Sequence, residues 1–130
     1  IFRATGAGDP NVSPKKLKIK DPNDPAGENT IEIDNPIWEK GLRKGFEYLM
    51  EKEIPIVVTT QAPDGKASMD VNEPGILAVQ ELNAIPAHDM SIEAMTVKLA
   101  WLLGRGMPYD EIRSLMTENV RGEIVPVRRS

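Results

Sequence analysis

The sequence predicts an α/β fold: a small Rossmann-like parallel sheet of about four strands flanked by helices, with a β-hairpin or loop inserted near residues 12–34. Three observations carry this prediction. Ile54-Pro55-Ile56-Val57-Val58-Thr59-Thr60 is β-branched and apolar on both faces, as a strand covered on two sides must be. Helical periods precede and follow it, so strands and helices alternate. Between Lys16 and Asp34 the period switches to two, the spacing of strands with one apolar face.

Taken in order, Ile1 to Thr5 reads as the end of a strand. Gly6-Ala7-Gly8-Asp9-Pro10-Asn11 is the loop that leaves it, since its Gly, Pro and Asx residues break any period. Lys16-Leu17-Lys18-Ile19-Lys20 and Thr30-Ile31-Glu32-Ile33-Asp34 flank the turn formers Asp21 to Gly27. They predict a hairpin flap, with a loop as the alternative. Asn35-Pro36 is set to open a helix carrying Trp38, Leu42, Phe46, Leu49 and Met50 at helical spacing. Gly41 and Gly45 share a face of it and predict close packing there. Strand, helix and the strand at 54–60 form a βαβ unit. Glu73-Pro74 starts a helix with Ile76, Leu77, Val79 and Leu82 as its apolar set, and Ala84 to Ala87 is a short strand. Asp89 or Ser91 caps the next helix, which buries Ile92, Met95, Leu99, Leu102 and Leu103 and ends at Gly104. Pro108 opens the last helix, with Ile112, Leu115 and Met116 inward, and residues from Gly122 onward read as a tail. The methionines Met90, Met95, Met107 and Met116 read as core, and Trp101 as a packing or interface residue.

At 130 residues the expectation is a single domain, 1–130. The absence of cysteine excludes disulfides, zinc thiolates and cysteine nucleophiles, and fits a reducing, cytoplasmic setting. A net charge of −4 argues against a nucleic-acid surface, and Lys15 to Lys20 reads as a solvated strand face. No apolar run approaches the roughly 20 residues of a membrane span. The chain opens on Ile1, directly on a strand-like dipeptide, which suggests a cut chain.

Few residues carry obvious chemistry. His88, Asp89 and Ser91 contain the residue types of a hydrolase triad, but neighbours this close cannot easily adopt its geometry; a strand end followed by a cap is the simpler reading. One histidine beside one aspartate is too little for zinc, so no metal is expected. Gly6-x-Gly8 lacks the third glycine and the following helix of a nucleotide loop, so no cofactor is expected. Two polar loops do leave parallel strands at the same sheet edge, where α/β folds place ligands. One offers Asp9 and Asn11, the other Gln61, Asp64, Asp70 and Asn72. A small polar ligand such as an amino acid suits them.

Four blocks, taken together, resemble the C-terminal domain of the bacterial type I and archaeal L-asparaginases. They are Ile56-Val57-Val58-Thr59-Thr60-Gln61; Gly65-Lys66; Ile85-Pro86-Ala87-His88-Asp89-Met90-Ser91-x-Glu93-Ala94 with Lys98-Leu99; and Glu118-Asn119-Val120-Arg121-Gly122-Glu123-Ile124. Phe2 to Asp9 is similar to the strand and glycine loop before them, and residues 12–34 match nothing in the family. The resemblance implies hydrolysis of asparagine to aspartate and ammonia. The threonine nucleophile and a Thr-Asp-Lys set belong to an N-terminal domain expected to be absent from this chain, which then carries no catalytic residue and is inactive alone. The resemblance also implies a homodimer or homotetramer, with the site closed by a neighbour's C-terminal domain. Asp9, where the family often has Asn, is implied to reach the α-amino group of an asparagine-like small molecule, and Asn72 joins it in substrate binding. Arg3 and Ala62 match an allosteric pocket of some type I enzymes, although Ala62 replaces that pocket's Cys. Two alternatives stand beside this reading: the asparaginase-like subunit of an archaeal tRNA-dependent amidotransferase, and a non-catalytic amino-acid-binding module.

Overall fold

A computed structural model of the protein describes residues 1–6, 8–61, 65–70 and 72–124. In chain order they form β1 (Phe2–Ala4), β2 (Lys16–Lys20), β3 (Thr30–Asp34), α1 (Arg43–Glu51), β4 (Ile56–Thr60), α2 (Glu73–Leu82), β5 (Ala84–Pro86), α3 (Ile92–Gly104) and α4 (Tyr109–Met116). The α/β class stands. Three strands, rather than about four, make the parallel sheet, in the order β1-β4-β5. Val58 pairs with Phe2 on one side and Pro86 on the other. Pro86, which lacks a donor, is tolerated because β5 is the last of these strands.

β4 is the centre of the molecule, and its side chains alternate between two cores. Ile56 and Val58 join Phe46 of α1 and Ala78 and Leu82 of α2. Val57 joins Met95, Leu99 and Leu102 of α3 and Ile112 and Met116 of α4. The sheet is therefore sandwiched by two pairs of helices. Ile124 is buried against α3 and α4, so the expected tail from Gly122 begins as part of the core. Leu103, expected inward, is exposed.

The inserted segment is a hairpin with the expected strand limits. β2 and β3 pair antiparallel from Lys16↔Asp34 to Lys20↔Thr30. Its tip is tied by Asp24, whose carboxylate accepts from the backbone N–H of Ala26, Glu28 and Asn29. Its base is tied by buried polar groups. Asn35 Nδ2 donates to Pro14 O, and Arg43 Nη1 donates to Ser13 O, at 2.8 and 2.9 Å. Arg43 is buried and also pairs with Glu47 and Glu81.

The helix expected from Pro36 begins seven residues later, at Arg43. Asn35 Oδ1 accepts from Ile37 N–H in a local turn, and Gly41 takes φ +105° while Leu42 N–H bonds to Asn11 O. A Cβ on Gly41 would lie 2.7 Å from that same carbonyl, so the expected close packing is real there. Gly45 has no close neighbour among the described residues, and that half of the expectation fails. The remaining helix starts fall as expected. Ser91 caps α3 by accepting from Ala94 N–H at 3.1 Å, and Pro108 precedes α4. No helix among the described residues is long and apolar enough to cross a membrane.

Candidate functional site

The site begins with the two loops that leave β1 and β4 at their C-terminal ends. The first turns sharply: Gly8 and Asp9 N–H groups both bond to Thr5 O, at 3.1 and 2.9 Å. Thr60 Oγ1, at the end of β4, donates to Gly6 O at 2.6 Å and fastens the two strand ends together. The second loop then passes beneath the first. Ala67 N–H donates to His88 O at 2.8 Å, and His88 N–H donates back to Ala67 O at 3.1 Å. This bridge directs the buried Met69 into the gap between Gly8 and Gly75. A Cβ on Gly8 would stand 2.9 Å from Met69 Cγ, and one on Gly75 would stand 3.1 Å from Met69 Cα. Met69 itself takes φ +59°, a conformation costly for a non-glycine residue and sustained here by the packing around it.

This interlock brings Asp9 and Asn72 together across 63 positions of sequence. Asn72 Nδ2 donates to Asp9 Oδ2 at 2.7 Å. Asn72 stands at the N-cap of α2, yet its side chain makes no cap bond, because its amide is turned toward Asp9. Asp9 Oδ1 is buried and accepts no hydrogen bond from the described residues, and the Cβ position of Gly75, in the first turn of α2, lies 3.2 Å from it. The positive end of α2 thus faces the carboxylate. A carboxylate has about four lone-pair sites. Oδ1 is closed off from solvent, so the capacity left for a further cationic donor lies on Oδ2, beside the Asn72 amide.

The other expected residues spread out. Arg3 is exposed on β1, paired in register with Thr59, and its carbonyl accepts from Gln61 Nε2 at 3.2 Å. Ala62, its expected partner, and Asp64 lie outside the described residues. Asn11 is drawn away to Gly41 and Leu42. His88 is half-buried with φ +53°, and burial lowers its pKa, against the opposing pull of Asp89 and Asp70. Ser91 Oγ is taken up as the α3 cap, so His88, Asp89 and Ser91 form architecture rather than a triad. Among the described residues, no cluster of three or more His, Asp or Glu side chains could hold a metal.

One buried pair went unread in the sequence. Lys98 Nζ donates to Glu123 Oε1 at 2.5 Å and to Glu118 O at 2.6 Å, with the two side chains only 10% and 12% exposed. The Lys98 hydrogen bond lowers the Glu123 pKa to about 2 despite burial, helped by N–H groups of the turn, including Arg121 and Val120. The pair staples the chain after α4 onto α3. A lysine in the middle of a largely apolar helix was the available signal.

Comparison with known proteins bears on the fold. Residues 36–116 match the family described as the Glutaminase/Asparaginase C-terminal domain. The chain is similar to an L-asparaginase of Thermococcus kodakarensis, 44% identical over 73 residues, or 56% of this chain and 22% of that one. It is also similar to a glutamyl-tRNA(Gln) amidotransferase subunit from Aeropyrum pernix, 36% identical over 83 residues, or 62% of this chain and 19% of that one. The solved thermostable L-asparaginase of Thermococcus kodakarensis superimposes with a TM-score of 0.64 at 37% identity, covering 71% of this chain and 27% of that one. L-asparaginase I of Vibrio cholerae gives 0.59 at 29% identity, covering 71% and 26%. The chain thus spans about a fifth of the length of the curated relatives it matches. The hairpin strands fall outside the family match, which begins after β3.

Proposed function

Because the chain belongs to the Glutaminase/Asparaginase C-terminal domain family, we propose that it is the part of an asparaginase-type amidohydrolase that closes the active site, not the part that breaks the bond. The observation that supports this reading is the Asp9–Asn72 pair at the sheet edge, a partly exposed carboxylate held by a single side-chain amide among the described residues. An α-ammonium group supplies charged N–H donors, and its hydrogen bonds to a carboxylate are stronger than neutral ones. Asp9 holds the ammonium of an asparagine-like substrate, and Asn72 fixes the carboxylate and adds its own amide. The substrate is thereby positioned for a threonine nucleophile in an N-terminal catalytic domain, where backbone N–H groups stabilise the oxyanion. The site is completed across a homodimer or homotetramer. Arg3 and the segment at Ala62 are proposed as a separate effector pocket.

A chimera tests the reading. Residues 1–130 replace the matching domain of the Thermococcus kodakarensis L-asparaginase. The chimera releases ammonia from asparagine, whereas the 130-residue chain alone releases none. Asp9→Ala in the chimera raises KM at least tenfold with a smaller change in kcat, as expected for a binding contact to a charged group. Activity in the isolated chain, or a chimera indifferent to Asp9, overturns the proposal.

The similarity to the amidotransferase subunit carries a second reading, in which the same domain serves ammonia production for a coupled transfer. It predicts a chimera that favours glutamine over asparagine when the two amides are compared at equal concentration.

A further inference from the structure

We propose that the segment Val125-Pro126-Val127-Arg128-Arg129 docks in the groove between α3 and the chain that follows α4, as a strap of the same molecule. The groove holds about 670 Å³. Ala94, Val97 and Trp101 of α3 form one wall, and Leu115 of α4 and Val120 contribute the other. Val97 is 70% exposed and Trp101 54%. Exposed Glu93 and Thr96 interrupt the outer side of α3, so the groove is a local apolar patch rather than part of a uniform face. The Lys98–Glu123 pair that lies within it is already satisfied. The groove therefore asks for apolar contact, and an exposed patch of this kind marks a place where something binds.

Position and composition select the occupant. The described residues end at Ile124, which is buried against α3 and α4, and Glu123 just before it lines the groove. Val125 to Ser130 lie outside the described residues, and they leave from beside the groove itself. Ile124 to Val127 is an unbroken apolar run. An extended chain of that composition turns apolar side chains to the groove at a period of either two or three. Val125 precedes a proline, which biases it toward that extended form.

Charge sets the direction. The apolar run is followed by Arg128 and Arg129. Glu93 borders the groove at the start of α3 and makes no ion pair among the described residues. At the other end of the helix, Arg105 lays its guanidinium 5.1 Å from the centre of the Trp101 ring. Arg121 borders the groove on the turn that the segment leaves behind. The two arginines are therefore attracted toward Glu93 and repelled from both other directions. The reach suffices. Glu93 stands five residues before Lys98, roughly 8 Å along the helix axis. Glu123 is fastened at Lys98, and the five residues from there to Arg128 span up to roughly 17 Å when extended.

Tryptophan fluorescence of the 130-residue chain tests this. With Trp38→Phe, Trp101 is the one tryptophan left. Its emission lies several nanometres to the blue of that from the same chain ended at Ile124. The difference is unchanged on about hundredfold dilution, because the contact lies within one chain. Glu93→Arg moves the emission toward that of the shortened chain, since loss of a rim ion pair lowers the ratio of docked to undocked chains about threefold. Adding Arg128→Glu and Arg129→Glu to Glu93→Arg restores the blue shift. Should the shortened chain lose its urea-unfolding transition, the charge exchange at full length still decides. Identical emission from the two lengths, a difference that vanishes on dilution because a second copy covers the groove, or charge reversals that fail to compensate overturns the proposal. None of these readouts depends on amide hydrolysis, so failure here leaves the functional reading standing.

Discussion

β4 and β3 are both five-residue strands, and each contains at least three β-branched residues. Every residue of β4 is buried, and every residue of β3 is exposed. β4 has a strand on each edge and a pair of helices over each face. β3 has one strand beside it, and the apolar face it shares with β2 stays open, with Ile31 and Ile33 each 37% exposed. The two strands therefore owe their order to different forces. β4 is held by packing; the hairpin is held by hydrogen bonds at its base and tip. An isolated two-stranded ribbon is marginal in water, and those polar ties supply what packing does not.

Substitution can break that contrast if it is wrong. The largest effect is expected at Ile56→Ala in β4, where truncation leaves a cavity between two packed layers and costs about 3 kcal/mol. Ile31→Ala in β3 costs less than about 1 kcal/mol, because no enclosing layer is lost. Urea unfolding of the two variants gives the comparison directly, and equal losses would abolish it. Next comes Gly8→Ala, at about 2–3 kcal/mol. It forces a φ of +93° on a residue with a side chain and drives a Cβ into Met69 and Ala67. Because it spreads the two loops, Gly8→Ala is also expected to separate Asp9 from Asn72, read as a shift of the Asn72 side-chain amide resonances.

Glu123 gives a smaller, pH-dependent effect. Its folded pKa of about 2 lies below the ordinary 4.5. Its stabilisation is therefore complete above pH 4.5 and fades as pH falls toward 2. Relative to Glu123→Gln, the native chain loses about 2 kcal/mol over that window, measured as the change in urea midpoint with pH. Parallel pH profiles for the two chains would rule out the staple. The smallest effect is at the hairpin tip. The Asp24 pKa is lowered chiefly by the Asn29 N–H, so its ties hold above the ordinary aspartate range and loosen as pH falls below it. Asp24→Ala speeds hydrogen exchange at Asn29 and Glu28 while leaving β4 amides protected. Faster exchange throughout β4 as well would mean the two regions unfold as one.

The same division explains what could be read in advance. The hairpin limits were legible because alternation and turn formers are local signals, carried by Lys16 to Asp34 alone. β4 was legible because its composition demands cover on both faces. The start of α1 was not, since Gly41 and Leu42 answer to Asn11, about thirty positions away. Ile124 looked like tail for the same reason: its burial depends on the Lys98–Glu123 staple. At the candidate site, the shared sheet edge predicted that Asp9 and Asn72 would be near each other. Their hydrogen bond, and the wedge of Met69 that sets it, depend on loop paths that no period records.

The base of the hairpin has a wider consequence. Asn35 N–H bonds to Lys15 O at 2.8 Å, so the chain leaves the body and returns to it at one point. A segment whose two ends already touch behaves as a cassette. It can be lengthened, shortened or exchanged without re-spacing the elements on either side, because closing it imposes only a slowly growing entropic cost. Its point of attachment lies a few residues after Asp9. The domain thus offers an attachment point for a variable segment beside the Asp9 loop, one that leaves β4 and its four flanking helices undisturbed.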